Sequence, residues 1–223
     1  MSPRLQDRLF AACGVASVVV ELVGTFIAMG SGKTHSLTWT SSTTAIATAF
    51  SKPATTVVWV GAYLELLSVG LFLAFALWAC GRLGGGILGD IGRGVAIAYV
   101  AVTVVSLSLL NAEAYLAGHG LGISAARALV IVNGATFVAT WFLTAFSLLA
   151  VGPLAVVNGR TIVGWTAIAV AVFTLVATAA SPSNAGQLSS LLALIWVAGT
   201  SIALGRGTRS PAPRQGLAAA ATN

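Results

Sequence analysis

The chain has 223 residues, of which 57% are hydrophobic and only 7% carry a charge, and its mean hydropathy is +0.96. A soluble domain of this size needs far more polar surface, so the composition excludes an ordinary soluble protein. The net charge of +6 could suggest nucleic-acid binding. The basic residues are instead distributed between apolar segments, and no nucleic-acid partner is expected.

Six apolar segments are long enough to cross a bilayer as helices. In chain order they are Phe10–Met29, Val57–Ala79, Val95–Ala117, Ala126–Val151, Thr161–Ala180 and Gln187–Leu204. They predict an all-α, polytopic membrane protein with a six-transmembrane-helix bundle over residues 1–204, surrounded by the lipid bilayer. Residues 30–56 are predicted to form a long outer loop, and residues 205–223 a disordered cytoplasmic tail. All six prolines lie outside the predicted spans.

The basic residues indicate the orientation of the spans, because cytoplasmic segments of membrane proteins are enriched in lysine and arginine. Eight of them fall on the side of the N-terminus and three on the other. The first group is Arg4, Arg8, Arg82, Arg93, Arg160, Arg206, Arg209 and Arg214, and the second is Lys33, Lys52 and Arg127. Both termini are therefore predicted to be cytoplasmic. The composition, rich in Ala, Val and Gly, suits a high-GC bacterium and a location in its cytoplasmic membrane.

The loops hold two weaker candidates for a site. The stretch "GSGKT" at Gly30–Thr34 resembles the end of a phosphate-binding loop, but Ile27 stands where the pattern requires its first glycine. The stretch also follows a membrane helix rather than a strand, so a nucleotide site is not predicted. His35 and His119 lie in outer loops, and two scattered histidines are poor evidence for a metal site.

Three of the five acidic residues lie inside predicted spans, and these are Glu21, Glu65 and Glu113. At 100° per residue, each shares a helix face with small or polar residues. These neighbours are Gly14, Ser17, Gly24 and Thr25 on the first span, Gly61, Ser68 and Phe72 on the second, and Tyr99, Thr103 and Ser106 on the third. Such faces are typical of helix packing or of a cavity wall.

The depths of these residues also agree. Glu21 and Glu65 each lie eight residues below the outer end of their span, Asn133 seven and Trp196 nine. At 1.5 Å per residue this places them roughly 10–14 Å below the outer surface, with Glu113 at roughly 6 Å. We therefore expect Glu21, Glu65 and Glu113 to converge on one polar layer. Apart from Arg127, which stands at the outer edge of the fourth span and is placed to reach Glu113, no lysine, arginine or histidine within the predicted spans can neutralise them. At least one is expected to hold its proton.

Aromatic and amide side chains near this depth are candidates for substrate contacts. They are Tyr63, Phe72, Tyr115, Asn133, Phe137, Trp141 and Trp196. Packing in the bundle interior is the alternative role for all of them, and hydrogen bonding to a neighbouring helix is the alternative role for each glutamate.

The size, the helix number and the embedded glutamates beside Trp, Tyr and Phe make the chain similar to the small integral-membrane terpene cyclases. The likeness is to the compact actinobacterial type that cyclises prenylated indole or diketopiperazine precursors to drimane-like products. It covers the helical body and implies a protonated carboxylic acid that starts carbocation cyclisation of a lipophilic substrate. Glu65 would be the proton donor, with Glu21 or Glu113 as its hydrogen-bonding partner. Because protonation starts the reaction, no metal or other cofactor would be needed.

Two other functions fit the same residues. A proton-coupled exporter of hydrophobic small molecules would use a membrane glutamate to exchange a proton for its substrate, and aromatic rings would line its pathway. A non-catalytic accessory membrane subunit would use the glutamates for helix assembly alone. The sequence gives neither the oligomeric state nor the identity of the substrate.

Overall fold

The computed structural model describes residues 2–31, 37–180 and 185–206. These residues form seven helices and no strand. The helices are α1 (Pro3–Ser31), α2 (Thr43–Phe50), α3 (Thr56–Leu83), α4 (Ile87–Leu116), α5 (Ile123–Val157), α6 (Thr161–Ala180) and α7 (Ala185–Arg206). All except α2 are long and apolar enough to cross a membrane. The predicted all-α, six-helix membrane bundle is confirmed, and the chain is a multi-pass membrane protein.

The helices extend beyond the apolar runs, and this changes one expectation. Pro153 lies inside α5, which continues to Val157, although the predicted span ended at Val151. A proline removes one backbone donor and leaves the Leu149 carbonyl without its helical partner, a loss that membrane helices tolerate where a neighbouring helix packs against them. The helix is also supported there by α6, because a Cβ placed on Gly152 would lie only 3.1 Å from the Gly164 carbonyl oxygen.

Five of the long helices form a closed ring. The sequence of contacts runs from α1 to α3, α4, α5 and α7 and back to α1, and α6 packs outside the ring against α5 and α7. Successive long helices are antiparallel, so that six arginines gather at one end of the bundle, which we call the arginine-rich end. They are Arg4, Arg8, Arg82, Arg93, Arg160 and Arg206.

Helices α1 and α3 are joined at the arginine-rich end by the side chain of Asp7. Its Oδ1 accepts a hydrogen bond of 3.0 Å from Trp78 Nε1 and lies 3.8 Å from Arg82 Nε. A carboxylate that serves two partners on α3 fixes the start of α1 against the end of α3. The two helices then run side by side toward the opposite end.

The opposite end of the bundle is covered by α2, a short helix within the segment 30–56 that was predicted to be a long loop. The Ser42 hydroxyl accepts a hydrogen bond from Ala45 N at 3.1 Å and begins the helix. Ile46 and Phe50 are buried against residues of α4 and α5. We call this the capped end.

Some sequence predictions fall outside the described residues. They are the role of His35, residues 32–34 of the "GSGKT" stretch, and the disordered tail from residue 207 onward. Gly205 and Arg206, which the prediction assigned to the tail, belong to the last turn of α7.

Candidate functional site

The site begins where α1 and α3 approach most closely. Gly24 and Gly61 face each other, and a Cβ placed on Gly61 would lie 2.8 Å from the Gly24 carbonyl oxygen. Glycine at both positions lets the two backbones touch, as at other close crossings of membrane helices. Glu21 lies less than one turn before Gly24. The crossing therefore brings Glu21 against the polar face of α3, which begins with Glu65, one turn after Gly61.

Glu21 and Glu65 meet across this crossing, as their equal depth predicted. The Ser68 hydroxyl donates a hydrogen bond to Glu21 Oε2. Glu65 is only 5% exposed, and its Oε2 has no hydrogen-bond partner among the described residues. The Thr25 side chain is a neighbour of both carboxyl groups. The result is a pair of neighbouring carboxyl groups, of which the Glu21 carboxyl accepts a hydrogen bond from Ser68.

Only Glu21 of this pair reaches the interior cavity of the bundle. The cavity has a volume of about 180 Å³ and is enclosed by α1, α3, α4, α5 and α7. On α3 its wall extends from Ser68 to Cys80, which at 1.5 Å per residue is roughly 18 Å along the bundle axis. Glu21 and Ser68 lie at the end of the cavity nearer the capped end. The cavity is therefore long and narrow, with one carboxyl group at one end.

Aromatic rings form much of the cavity wall. Among the residues predicted to contact a substrate, four line it, namely Phe72, Phe137, Trp141 and Trp196. Phe72 packs edge to face with Tyr99, with 5.2 Å between ring centroids. Trp196 Nε1 donates a hydrogen bond of 3.2 Å to the Val163 carbonyl oxygen of α6, which fixes the indole ring. No lysine, arginine or histidine of the described residues lines this cavity.

Three other predicted contacts lie elsewhere. Tyr63 and Tyr115 are 68% and 62% exposed on the outside of the bundle and do not line the cavity. Helical phase places Tyr63 opposite the cavity residues of α3, and Tyr115 lies two turns beyond Leu107, the last cavity residue of α4. Tyr115 stacks on His119, with ring centroids 5.2 Å apart. Asn133 is buried but belongs to a separate polar cluster.

That second cluster contains Glu113, so the three glutamates do not converge on one layer. Glu113 is 1% exposed, and its carboxyl interacts with the side chain of Asn133 on α5. Ser106 Oγ donates to Asn133 Oδ1 at 3.3 Å, and Thr136 Oγ1 donates to Ser106 Oγ at 3.0 Å. Arg127 does not reach Glu113, because its Nη1 donates to Thr43 Oγ1 of α2 at 3.1 Å. The cluster connects α4 to α5 outside the cavity.

We expect this cluster to contribute to stability rather than to the chemistry of the cavity. Replacing Asn133 by leucine removes the partner of the Glu113 carboxyl and leaves that group buried. The expected loss is about 1–2 kcal/mol of unfolding free energy, because the Glu113 carboxyl remains buried without its hydrogen-bonding partner. Thermal or denaturant unfolding in detergent measures the loss, and Thr166→Val, on the exposed face of α6, is the control.

Some cavity residues were not selected from the sequence. Tyr99, Thr103 and Phe75 line the cavity. The polar face of the third span included Tyr99 and Thr103, so helical phase provided a signal for them. Phase provided none for Phe75, which the sequence shows only as one apolar residue among many.

No protein-family model, curated protein or solved structure matches the chain. The function is therefore inferred from the geometry of the cavity and its carboxyl group.

Proposed function

We propose that this protein is an integral-membrane terpene cyclase that protonates a lipophilic prenylated substrate inside the bundle. The observation that supports this function is a single carboxyl group at one end of an elongated, aromatic-lined cavity in which no described residue is basic. A carboxylic acid in apolar surroundings stays protonated more readily than in water, and a protonated acid can act as a general acid.

The residue roles follow from the position of each carboxyl group. Glu21 faces the cavity and is the proton donor, whereas the sequence favoured Glu65. Glu65 lies behind it at the α1–α3 contact and positions Glu21 through their shared neighbour Thr25. Ser68 holds the Glu21 carboxyl from the side of α3.

The reaction balances without a cofactor. The Glu21 O–H bond breaks, and its proton forms a new C–H bond with an alkene, or an O–H bond with an epoxide, to give a carbocation. A second alkene of the same substrate closes the ring, and loss of a proton to the Glu21 carboxylate regenerates the acid. The product is an isomer of the substrate. Phe72, Tyr99 and Trp141 line the cavity, and aromatic rings of this kind stabilise a positive charge through cation–π attraction.

A proton-coupled exporter is the second candidate, and the length of the cavity favours it. A cavity of roughly 18 Å along the bundle axis covers more than half of a hydrocarbon core of about 30 Å. A carboxyl group at one end of such a pathway could exchange its proton for a hydrophobic substrate.

Product formation distinguishes the two candidates. Purified protein in nanodiscs, where no gradient exists, is incubated with farnesylated and epoxidised isoprenoid acceptors, and products are identified by mass spectrometry. An isomeric product supports the cyclase. Substrate movement in sealed vesicles that requires a pH gradient, with no isomeric product in nanodiscs, rejects the cyclase and supports the exporter.

We also propose that both termini face the cytoplasm of a bacterial cell, because the six arginines of the arginine-rich end define that side. A green fluorescent protein fused after Asn223 is expected to fluoresce, and an alkaline phosphatase fused at the same place is expected to be inactive. A fusion inserted after Gly120, at the capped end, serves as the control and should give the reverse pattern. An active phosphatase at the C-terminus would reject this orientation.

A further inference from the structure

A groove separate from the central cavity lies between α1 and α7 at the arginine-rich end. It has a volume of about 260 Å³ and shares no lining residue with the central cavity. Arg8 and Arg206 line its outer part, and Ala12, Val15 and Ile202 are among its apolar residues. From Arg8 to Val15 the groove extends roughly 10 Å toward the membrane interior. It therefore combines two cationic groups with an apolar floor.

Small residues bring the two helices together here. A Cβ placed on Gly205 would lie 2.8 Å from Ala11 Cβ. This close approach holds the start of α1 beside the end of α7, and it places Arg8 and Arg206 at the same groove. Deeper in the bundle the same two helices are in tight contact, since a Cβ on Gly14 would overlap Ser201 Oγ. That contact separates the groove from the central cavity.

The positive charge of this groove is not neutralised by an acidic side chain of the described residues. The chain has five acidic residues. Asp7 pairs with Arg82, and Asp90 with Arg93 at 2.7 Å. The three glutamates lie in the polar clusters described above. Two guanidinium groups at the membrane boundary thus have no described anionic partner.

We propose that this groove binds an anionic phospholipid, with its phosphate between Arg8 and Arg206 and part of an acyl chain along the apolar floor. Guanidinium groups bind phosphate oxygens in a paired geometry, and basic sites between membrane helices on the cytoplasmic side suit anionic head groups. A free phosphate would use only the arginines. A phospholipid uses both parts of the groove, and a negative net charge distinguishes it from zwitterionic lipids.

Native mass spectrometry of the purified full-length protein tests this site. The protein is exchanged into detergent with equal amounts of phosphatidylglycerol and phosphatidylcholine, and the retained lipids are counted. We expect wild-type protein to retain phosphatidylglycerol preferentially. Each basic side chain near an anionic head group contributes on the order of fivefold in affinity, so Arg8→Gln and Arg206→Gln should each lower the preference by about that factor.

Arg160→Gln is the matched control, because Arg160 belongs to the same end of the bundle but lines neither cavity. An unchanged preference in this variant, with losses in the two groove variants at equal unfolding temperature, supports the site. Equal retention of the two lipids by wild-type protein would overturn it. So would an equal loss in Arg160→Gln, which indicates general surface charge. Displacement of the lipid by millimolar glycerol 3-phosphate would also overturn it, since the head group alone would then suffice.

Discussion

Replacing Glu21 by glutamine is expected to reduce turnover of the prenylated substrate by roughly 10²- to 10⁴-fold, the usual contribution of a positioned general acid. Glutamine has the same shape and keeps an oxygen that can accept the hydrogen bond from Ser68, so the α1–α3 contact is expected to survive. The variant removes the transferable proton and little else. Single-turnover product formation in nanodiscs, followed by mass spectrometry, measures the loss.

Two further glutamine variants serve as controls for this prediction. Glu65→Gln alters the buried carboxyl that does not line the cavity, and its expected loss of turnover is less than about tenfold, through the position of Glu21. Glu113→Gln makes the same chemical change in the separate α4–α5 cluster and should leave turnover unchanged. Full activity of Glu21→Gln together with inactivity of Glu65→Gln would restore Glu65 as the donor. Full activity of both would reject acid catalysis by this pair.

The sequence predicted that three glutamates meet in one layer. Glu21 and Glu65 do meet and Glu113 does not, and helix geometry explains the difference. Glu21 and Glu65 lie on helices that are antiparallel neighbours, so an equal distance from the outer end places them at the same level. Glu113 shares a face with Thr103, but ten residues of helix separate the two by roughly 15 Å. Over that length, the residues that pack against this face of α4 change. Near Thr103 it borders the cavity, and near Glu113 it packs against α5.

The helices themselves could be predicted from apolar length, because a membrane span must satisfy its backbone hydrogen bonds internally. Helical phase then identified which side chains share a face, and it placed Phe72, which lines the cavity, on the face of Glu65. Phase does not determine what lies opposite a face. Tyr63 was selected because it lies near the depth of Glu65, although two residues along a helix rotate a side chain by about 200°. It therefore lies on the outside of the bundle.

The other large effect is expected at the glycine crossing that positions the carboxyl pair. Replacing Gly61 by alanine adds a Cβ that would lie 2.8 Å from Ala28 N, 2.8 Å from the Gly24 carbonyl oxygen and 2.9 Å from Ala28 Cβ. Two of these atoms belong to a helix backbone and the third is fixed to it, so none can move aside alone. The helices must separate, and overpacking of this kind costs about 1–3 kcal/mol of unfolding free energy. Thermal and denaturant unfolding in detergent measure this cost.

Gly70→Ala, on the same helix, gives this prediction its control, because no atom lies within 4 Å of the added Cβ. Alanine is a better helix former than glycine by about 1 kcal/mol, so this variant should be as stable as wild type or more stable. The two identical substitutions are thus expected to change stability in opposite directions. Separation of α1 from α3 should also displace Glu21 from Ser68, so Gly61→Ala should lose turnover at temperatures where it remains folded. Equal stabilisation by both substitutions would show that the helices are not in contact at Gly61. It would also contradict the pairing of Glu21 with Glu65, because that pairing depends on this crossing.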